Sequence, residues 1–69
     1  MKVFGERLKE IRDDKNISMS ELARQIGTSQ QNISRWESGE IVPSADTIVM
    51  LCKSLNVSSD FLLGLSDNP

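Results

Sequence analysis

The sequence predicts an all-α fold, a compact bundle of five short helices without strands. Apolar residues recur at the three- and four-residue spacing of amphipathic helices rather than in strict alternation. Serine precedes most of these segments and glycine follows several of them, as at the beginnings and ends of helices. With 69 residues, the chain is long enough for one small domain only.

The first helix is predicted over about residues 3–14. Phe4, Leu8 and Ile11 fall at positions i, i+4 and i+7, which places them on one stripe of a helix. Most residues between them are charged and would face solvent. This segment therefore buries one face against the rest of the bundle.

The second helix is predicted to begin with a capping box, in which Ser18 and Glu21 each accept from the amide of the other. Gly27 stands where a left-handed residue would end the helix. Its apolar face consists of Leu22, Ala23 and Ile26.

Ser29 is the predicted N-cap of a third helix, which runs from Gln30 to Glu37 and ends at Gly39. Only about three residues separate helices 2 and 3. Such a short link favours a sharp crossing of the two helices rather than a side-by-side arrangement. The sequence therefore predicts a helix-turn-helix.

Two more helices complete the predicted bundle. After Pro43, Ser44 caps a fourth helix with apolar residues at positions 48, 51, 52 and 55. Ser58 caps a short fifth helix that ends at Gly64. Residues 65–69 are predicted to be a frayed C-terminal tail, so residues 1–64 form the domain.

Composition argues against several classes of protein. One cysteine and no histidine allow neither an internal disulfide nor a Cys/His zinc site, and they close the histidine-dependent routes of catalysis. An enzyme, a cofactor and a metal site are not expected. No apolar run approaches about 18 residues, so a cytoplasmic protein without signal peptide or membrane span is expected. No effector domain is expected.

Charge is unevenly distributed along the chain. The net charge is −2, but the first 35 residues carry +2 and the remainder −4. A nucleic-acid-binding protein usually has a basic face. The basic side of this protein is expected in its N-terminal half.

Helix 3 differs from an ordinary solvated helix, which favours Glu and Lys. Its candidate outward positions all carry hydrogen-bonding side chains: Gln30, Gln31, Asn32, Ser34 and Arg35. A carboxamide can donate to and accept from adenine in the major groove, and arginine can bind guanine with two hydrogen bonds. Recognition helices contact bases mainly with their N-terminal residues. These five residues are therefore predicted to contact DNA bases, and a plain polar surface is the alternative.

The segment from Met19 to Gly39, which contains SELARQIGTSQQNISRWESG, resembles the helix-turn-helix of the Cro/repressor family of phage and bacterial regulators, also called the XRE family. The similarity extends to Arg12, Pro43 and the join at residues 55–58. The resemblance implies a lambda-repressor-like five-helix bundle, a dimer on a double-stranded DNA operator, and helix 3 in the major groove.

The resemblance also implies roles for individual residues. The pair Gln30 and Gln31 is similar to a doublet with which some lambdoid repressors contact bases, and Arg35 lies one turn later. An ion pair between Arg12 and Glu37 would be structural. The expected contacts to the DNA backbone are Met19, Arg24 and Ser29.

Two departures from the family pattern weaken the expected hold on phosphate. Met19 stands where many relatives place Gln or Ser, so that only its backbone amide is available. Glu40 stands where relatives commonly carry Lys or Arg. Because basic side chains supply most nonspecific affinity, poor binding to random DNA is expected.

Other residues have simpler interpretations. Trp36 is predicted to pack in the core with Ile33, and Cys52 to be a buried small hydrophobe rather than a redox switch. Arg7, Lys9 and Arg24 are either solvated charges or phosphate contacts. Leu63 and Leu65, with Val49 and Met50, exceed what one small core needs and are predicted to form a dimer patch, with scattered surface residues as the alternative.

The resulting hypothesis is a sequence-specific, dimeric DNA-binding regulator of transcription, acting as a repressor on an inverted-repeat operator. Two alternatives use the same fold. One is a protein-interaction module, such as an antagonist of another regulator, that has lost DNA binding. The other is an antitoxin that binds DNA through helix 3 and its toxin through another surface.

Overall fold

The computed structural model describes residues 1–69 and contains five α-helices and no strand. This arrangement confirms the predicted all-α, five-helix fold. The helices are α1 (Lys2–Asp14), α2 (Met19–Ile26), α3 (Gln30–Ser38), α4 (Ala45–Leu55) and α5 (Ser59–Leu62). None of them is both long and apolar enough to cross a bilayer.

A serine begins each helix from α2 to α5. Its Oγ accepts a hydrogen bond from the backbone amide three residues later, at distances of 3.0–3.3 Å. These caps are Ser18, Ser29, Ser44 and Ser58. The capping box of α2 is formed in one direction only, because the Glu21 carboxylate accepts from Arg24.

Glycine residues end both α2 and α3. Gly27 (φ 74°) ends α2, and Gly39 (φ 84°) ends α3, both in the left-handed region that other residues rarely adopt. The amide of Gly39 donates to the carbonyl of Trp36 at 3.2 Å. The limits of α3 are therefore fixed at both ends by local interactions.

The core receives side chains from all five helices. Trp36 is 5% exposed and lies in this core together with Ile33, as predicted. Cys52 is half-buried, and burial raises the pKa of its thiol, which keeps it protonated. The core residues are Phe4, Leu8, Ile11, Leu22, Ala23, Ile26, Ile33, Trp36, Leu51, Leu55, Phe61 and Leu62.

Gly5 allows the backbone of α1 to approach the C-terminal end of α3 closely. A Cβ at this position would lie 2.5 Å from the carbonyl oxygen of Trp36 and 2.8 Å from the carbonyl carbon of Glu37, with the Glu37 oxygen nearer still. No side chain fits between the two helices here. This role of Gly5 was not predicted from the sequence, although a glycine inside a helical pattern usually has a packing reason.

Residues 65–69 are not frayed, which corrects the prediction. Arg7 Nη1 donates to the carbonyls of Phe61 (2.8 Å) and Ser66 (2.5 Å), and Nη2 donates to the Asp67 carboxylate (2.8 Å). Its guanidinium also lies 4.4 Å from the centre of the Phe61 ring. Arg7 is thus engaged in holding the C-terminal segment to α1 and α5, which argues against its use for phosphate.

Candidate nucleic-acid interface

The outward face of α3 follows from its buried face. Ile33 and Trp36 anchor α3 in the core, so residues on the other side of the helix face solvent. Gln30, Gln31 and Ser34 are all exposed. The first turn of α3 thus presents two carboxamides, and Ser34 in the second turn adds a hydroxyl; none of these three side chains carries a charge.

An open concavity of about 510 Å³ lies beside this first turn. It is lined by Met19, Ser29, Gln30, Gln31 and Ser34. The structure therefore brings together three of the residues predicted to contact bases and two of those predicted to contact the DNA backbone. The concavity thus lies between the start of α2 and the start of α3, and four of its five lining residues have polar side chains.

Asn32 is placed differently from its neighbours. Its side chain is half-buried, and Nδ2 donates to Thr28 Oγ1 at 3.0 Å. The backbone amide of Asn32 donates to the cap oxygen of Ser29 at 3.1 Å. Asn32 therefore stabilises the turn between α2 and α3, and the outward position predicted for its side chain is wrong.

Arg35 is the only cationic residue of α3. Its side chain is 56% exposed, and Nε lies 3.4 Å from Oε2 of Glu40, which is 63% exposed. The contact between these two residues was not predicted from the sequence. The arrangement places a carboxylate directly beside the guanidinium predicted to contact bases.

The residues predicted to contact the DNA backbone occupy different settings. Met19 is half-buried and packs against the core, while Ser29 Oγ accepts the capping bond and keeps its own proton free to donate. Arg24 is 78% exposed and pairs with Glu21. Arg24 and Arg35, the two cations predicted to contact DNA, are thus each paired with a carboxylate.

Arg12 and Glu37 join α1 to α3 through a bidentate ion pair. Arg12 Nε donates to Glu37 Oε2 at 2.8 Å, and Nη2 donates to Oε1 at 3.0 Å. The Glu37 side chain is only 4% exposed and that of Arg12 10%. The hydrogen bonds that Arg12 donates to Glu37 raise the pKa of Arg12 against the lowering effect of burial, so the guanidinium stays charged.

The apolar residues predicted as a dimer patch are not equally accessible. Leu65 is 76% exposed, Val49 51% and Met50 46%. Leu63, in contrast, is half-buried and packs against the core. Accessible apolar area among these residues is therefore supplied by Leu65, Val49 and Met50, and only in part by Leu63.

Both the sequence and the fold are similar to those of known proteins. The family described as "Helix-turn-helix" matches residues 8–62. The HTH-type transcriptional regulator YobD of Bacillus subtilis is 31% identical over 67 residues, 97% of this chain and 60% of its own length. The chain therefore spans little more than half of that relative.

Two further proteins bear on the site. The crystal structure of the P22 c2 repressor in complex with a synthetic operator superposes with a TM-score of 0.84 at 32% identity, and covers 90% of this chain and 94% of its own. The antitoxin PezA of Streptococcus pneumoniae is 31% identical over 62 residues, 90% of this chain and 39% of its own length.

Proposed function

Because this chain belongs to the helix-turn-helix family of the Cro/repressor type, we propose that it is a sequence-specific DNA-binding regulator of transcription that acts as a repressor. The observation that carries the proposal is the pair of exposed, uncharged carboxamides of Gln30 and Gln31 at the open concavity. An N-terminal turn of this composition suits base recognition in the major groove.

The neighbouring side chains support the same assignment. Gln31 precedes Arg35 by four residues, about one turn, so that one face of α3 offers partners for both adenine and guanine. Ser29 at the cap has a free hydroxyl proton beside the concavity, where it would donate to a phosphate. The similar P22 c2 repressor was crystallised with an operator, which supports DNA as the ligand.

We also propose that two copies act together on an inverted repeat. A single α3 reads few base pairs, and the eight Lys and Arg residues of the chain are outnumbered by ten Asp and Glu residues, which weakens its hold on phosphate. A two-fold dimer would place its two α3 helices about 34 Å apart, one turn of duplex. Leu65, with Val49 and Met50, is the proposed contact, since these side chains are about half exposed or more.

Selection of random duplexes by the purified protein tests the function. The expected product is an inverted repeat whose half-site centres lie about 10 base pairs apart. Sedimentation on the selected duplex should find two chains per site, with a salt dependence that corresponds to about 4–8 phosphate contacts. Selection of no sequence at all would contradict DNA recognition, whereas one chain per site would contradict only the dimer.

Replacing Gln30 or Gln31 with alanine is expected to weaken binding to the selected duplex by about 1–3 kcal/mol, because a bidentate base contact is lost. Binding to a random duplex should change little. Gln25→Ala is the control, since it removes the same group from α2, and thermal unfolding of this variant accounts for the lost hydrogen bond from Ser54 Oγ to Gln25. Equal weakening on both duplexes, measured by fluorescence anisotropy, would argue against base contact.

Replacing Leu65 with glutamate is expected to lower affinity for the inverted repeat and to abolish its cooperativity in protein concentration. The domain should remain folded, because Leu65 is 76% exposed. Leu63→Glu would not separate loss of the dimer contact from loss of folding, since Leu63 packs against the core. Leu65→Gln separates loss of the apolar side chain from added charge, and unchanged cooperativity in both variants would place the dimer contact elsewhere.

An antitoxin role is the second candidate, and the similarity to PezA favours it. In that case α3 would still bind DNA, while another surface would hold a toxin. Coexpression with the product of the adjacent reading frame tests this alternative. A stable complex with that product that still binds DNA would support the antitoxin role. A stable complex formed by a protein that selects no duplex would favour the interaction-module hypothesis.

A further inference from the structure

Glu40 is held beside Arg35 by the backbone. The amide of Glu40 donates to the carbonyl of Arg35 at 3.0 Å, and it also lies 3.4 Å from Ser38 Oγ. Gly39, in the left-handed region, turns the chain back so that these bonds form. The backbone of Glu40 is therefore fixed close to Arg35, which keeps the Glu40 carboxylate within reach of the guanidinium.

The pair leaves α3 without a free charge. Arg35 is the only cation of α3, and the only carboxylate of α3, that of Glu37, forms an ion pair with Arg12. An exposed ion pair such as that between Arg35 and Glu40 changes an equilibrium constant by less than about fivefold, so a stronger partner displaces it. A guanine that accepts two hydrogen bonds from arginine is such a partner. A phosphate would form an ion pair of the same kind as Glu40 and would leave the Glu40 carboxylate unpaired beside the DNA backbone, so this exchange brings little gain.

We propose that Glu40 is a specificity-determining residue, which retains Arg35 on the protein over random DNA and releases it to a base in the target site. The inference rests on the proposed function. On a random duplex, Arg35 stays paired and the carboxylate faces the phosphates, so one cationic contact per chain is lost. On the target, the base contact replaces the pair.

Glu40→Gln tests the proposal because it keeps the shape and removes the charge. We expect affinity for a scrambled duplex to rise about threefold to tenfold at low salt, and affinity for the selected duplex to rise less than about threefold. The dependence of log K on log[salt] for the scrambled duplex should steepen by about 0.9 per chain, as for one added phosphate contact.

Two controls separate this effect from a change in net charge. Glu10→Gln alters the charge equally on the exposed face of α1 and should leave the ratio of the two affinities unchanged. In an Arg35→Gln background, Glu40→Gln should no longer steepen the salt dependence. Equal gains on both duplexes, or the same steepening without Arg35, would overturn the proposal.

The outcomes also distinguish this inference from the proposed function. A wild-type protein that selects a duplex and a Glu40→Gln variant that behaves identically would refute the role of Glu40 alone. A wild-type protein and variants that bind neither duplex would refute both.

Discussion

Replacing Arg12 with methionine is expected to lower the free energy of unfolding by about 3–5 kcal/mol, because it leaves the Glu37 carboxylate uncompensated at 4% exposure. A domain of this size is stabilised by about 3–10 kcal/mol in total. The expected loss is therefore a large part of the total free energy of unfolding. Because each kcal/mol shifts Tm by about 4–8 °C in a domain of this length, thermal unfolding measures it directly.

Glu37→Met should cost less than Arg12→Met. With Glu37 removed, Arg12 Nη1 still lies 3.6 Å from the Asp13 carboxylate and donates to the carbonyl of Ile17 at 2.9 Å. With Arg12 removed, Glu37 has no second cation. The geometry thus predicts an asymmetry that a count of ion pairs would not.

The double variant completes the cycle and should cost much less than the sum of the two single variants. Some loss remains, because the carbonyl of Ile17 loses the hydrogen bond from Arg12. Additive losses would mean that the ion pair contributes no coupling energy. Lys9→Met serves as a control, since its pair with Asp13 is more than half exposed on both sides.

Gly5→Ala is the second substitution with a large expected effect. Its Cβ would meet backbone atoms of Trp36 and Glu37, which cannot rotate away as a side chain can. Alanine favours a helix by about 1 kcal/mol over glycine, but overpacking costs about 1–3 kcal/mol or more. We expect a net loss at the upper end of that range, since α1 and α3 must separate.

Thermal unfolding of Gly5→Ala, together with its binding to the selected duplex, tests this expectation. Separation of α1 from α3 would also displace the C-terminal end of α3, and so weaken DNA binding in the protein that remains folded. Glu6→Ala, at the next and exposed position of α1, should change stability by less than about 0.5 kcal/mol. A gain in Tm for Gly5→Ala would show that the close approach is easily relaxed.

Local signals made most of the fold predictable from the sequence. The cap serines and the left-handed glycines act on residues within a few positions, so the ends of α2 and α3 are encoded where they occur. The apolar stripe of α1 likewise identified Phe4, Leu8 and Ile11 as core residues. The resemblance to a known family, rather than any local signal, suggested that Arg12 meets Glu37.

Contacts between distant segments account for what the sequence analysis missed. Arg7 reaches residues 54–60 positions away, and nothing in its neighbourhood distinguishes it from a solvated charge. The environment of Gly5 depends on the angle between α1 and α3, which periodicity does not specify. For Asn32, the hydrogen-bonding side chain indicated an outward position, and its contact with Thr28 in the turn was not predicted.

The length of α3 limits how much information one domain can read. Its nine residues rise about 13 Å, the height of about four base pairs. Two copies would then specify about eight base pairs. A given sequence of eight base pairs occurs by chance about once in 65,000 positions. Among about 10⁶ competing genomic positions, more than ten would therefore match by chance. A single target would have to be singled out by other means, such as the deformability of the untouched base pairs between half-sites or the clustering of several sites.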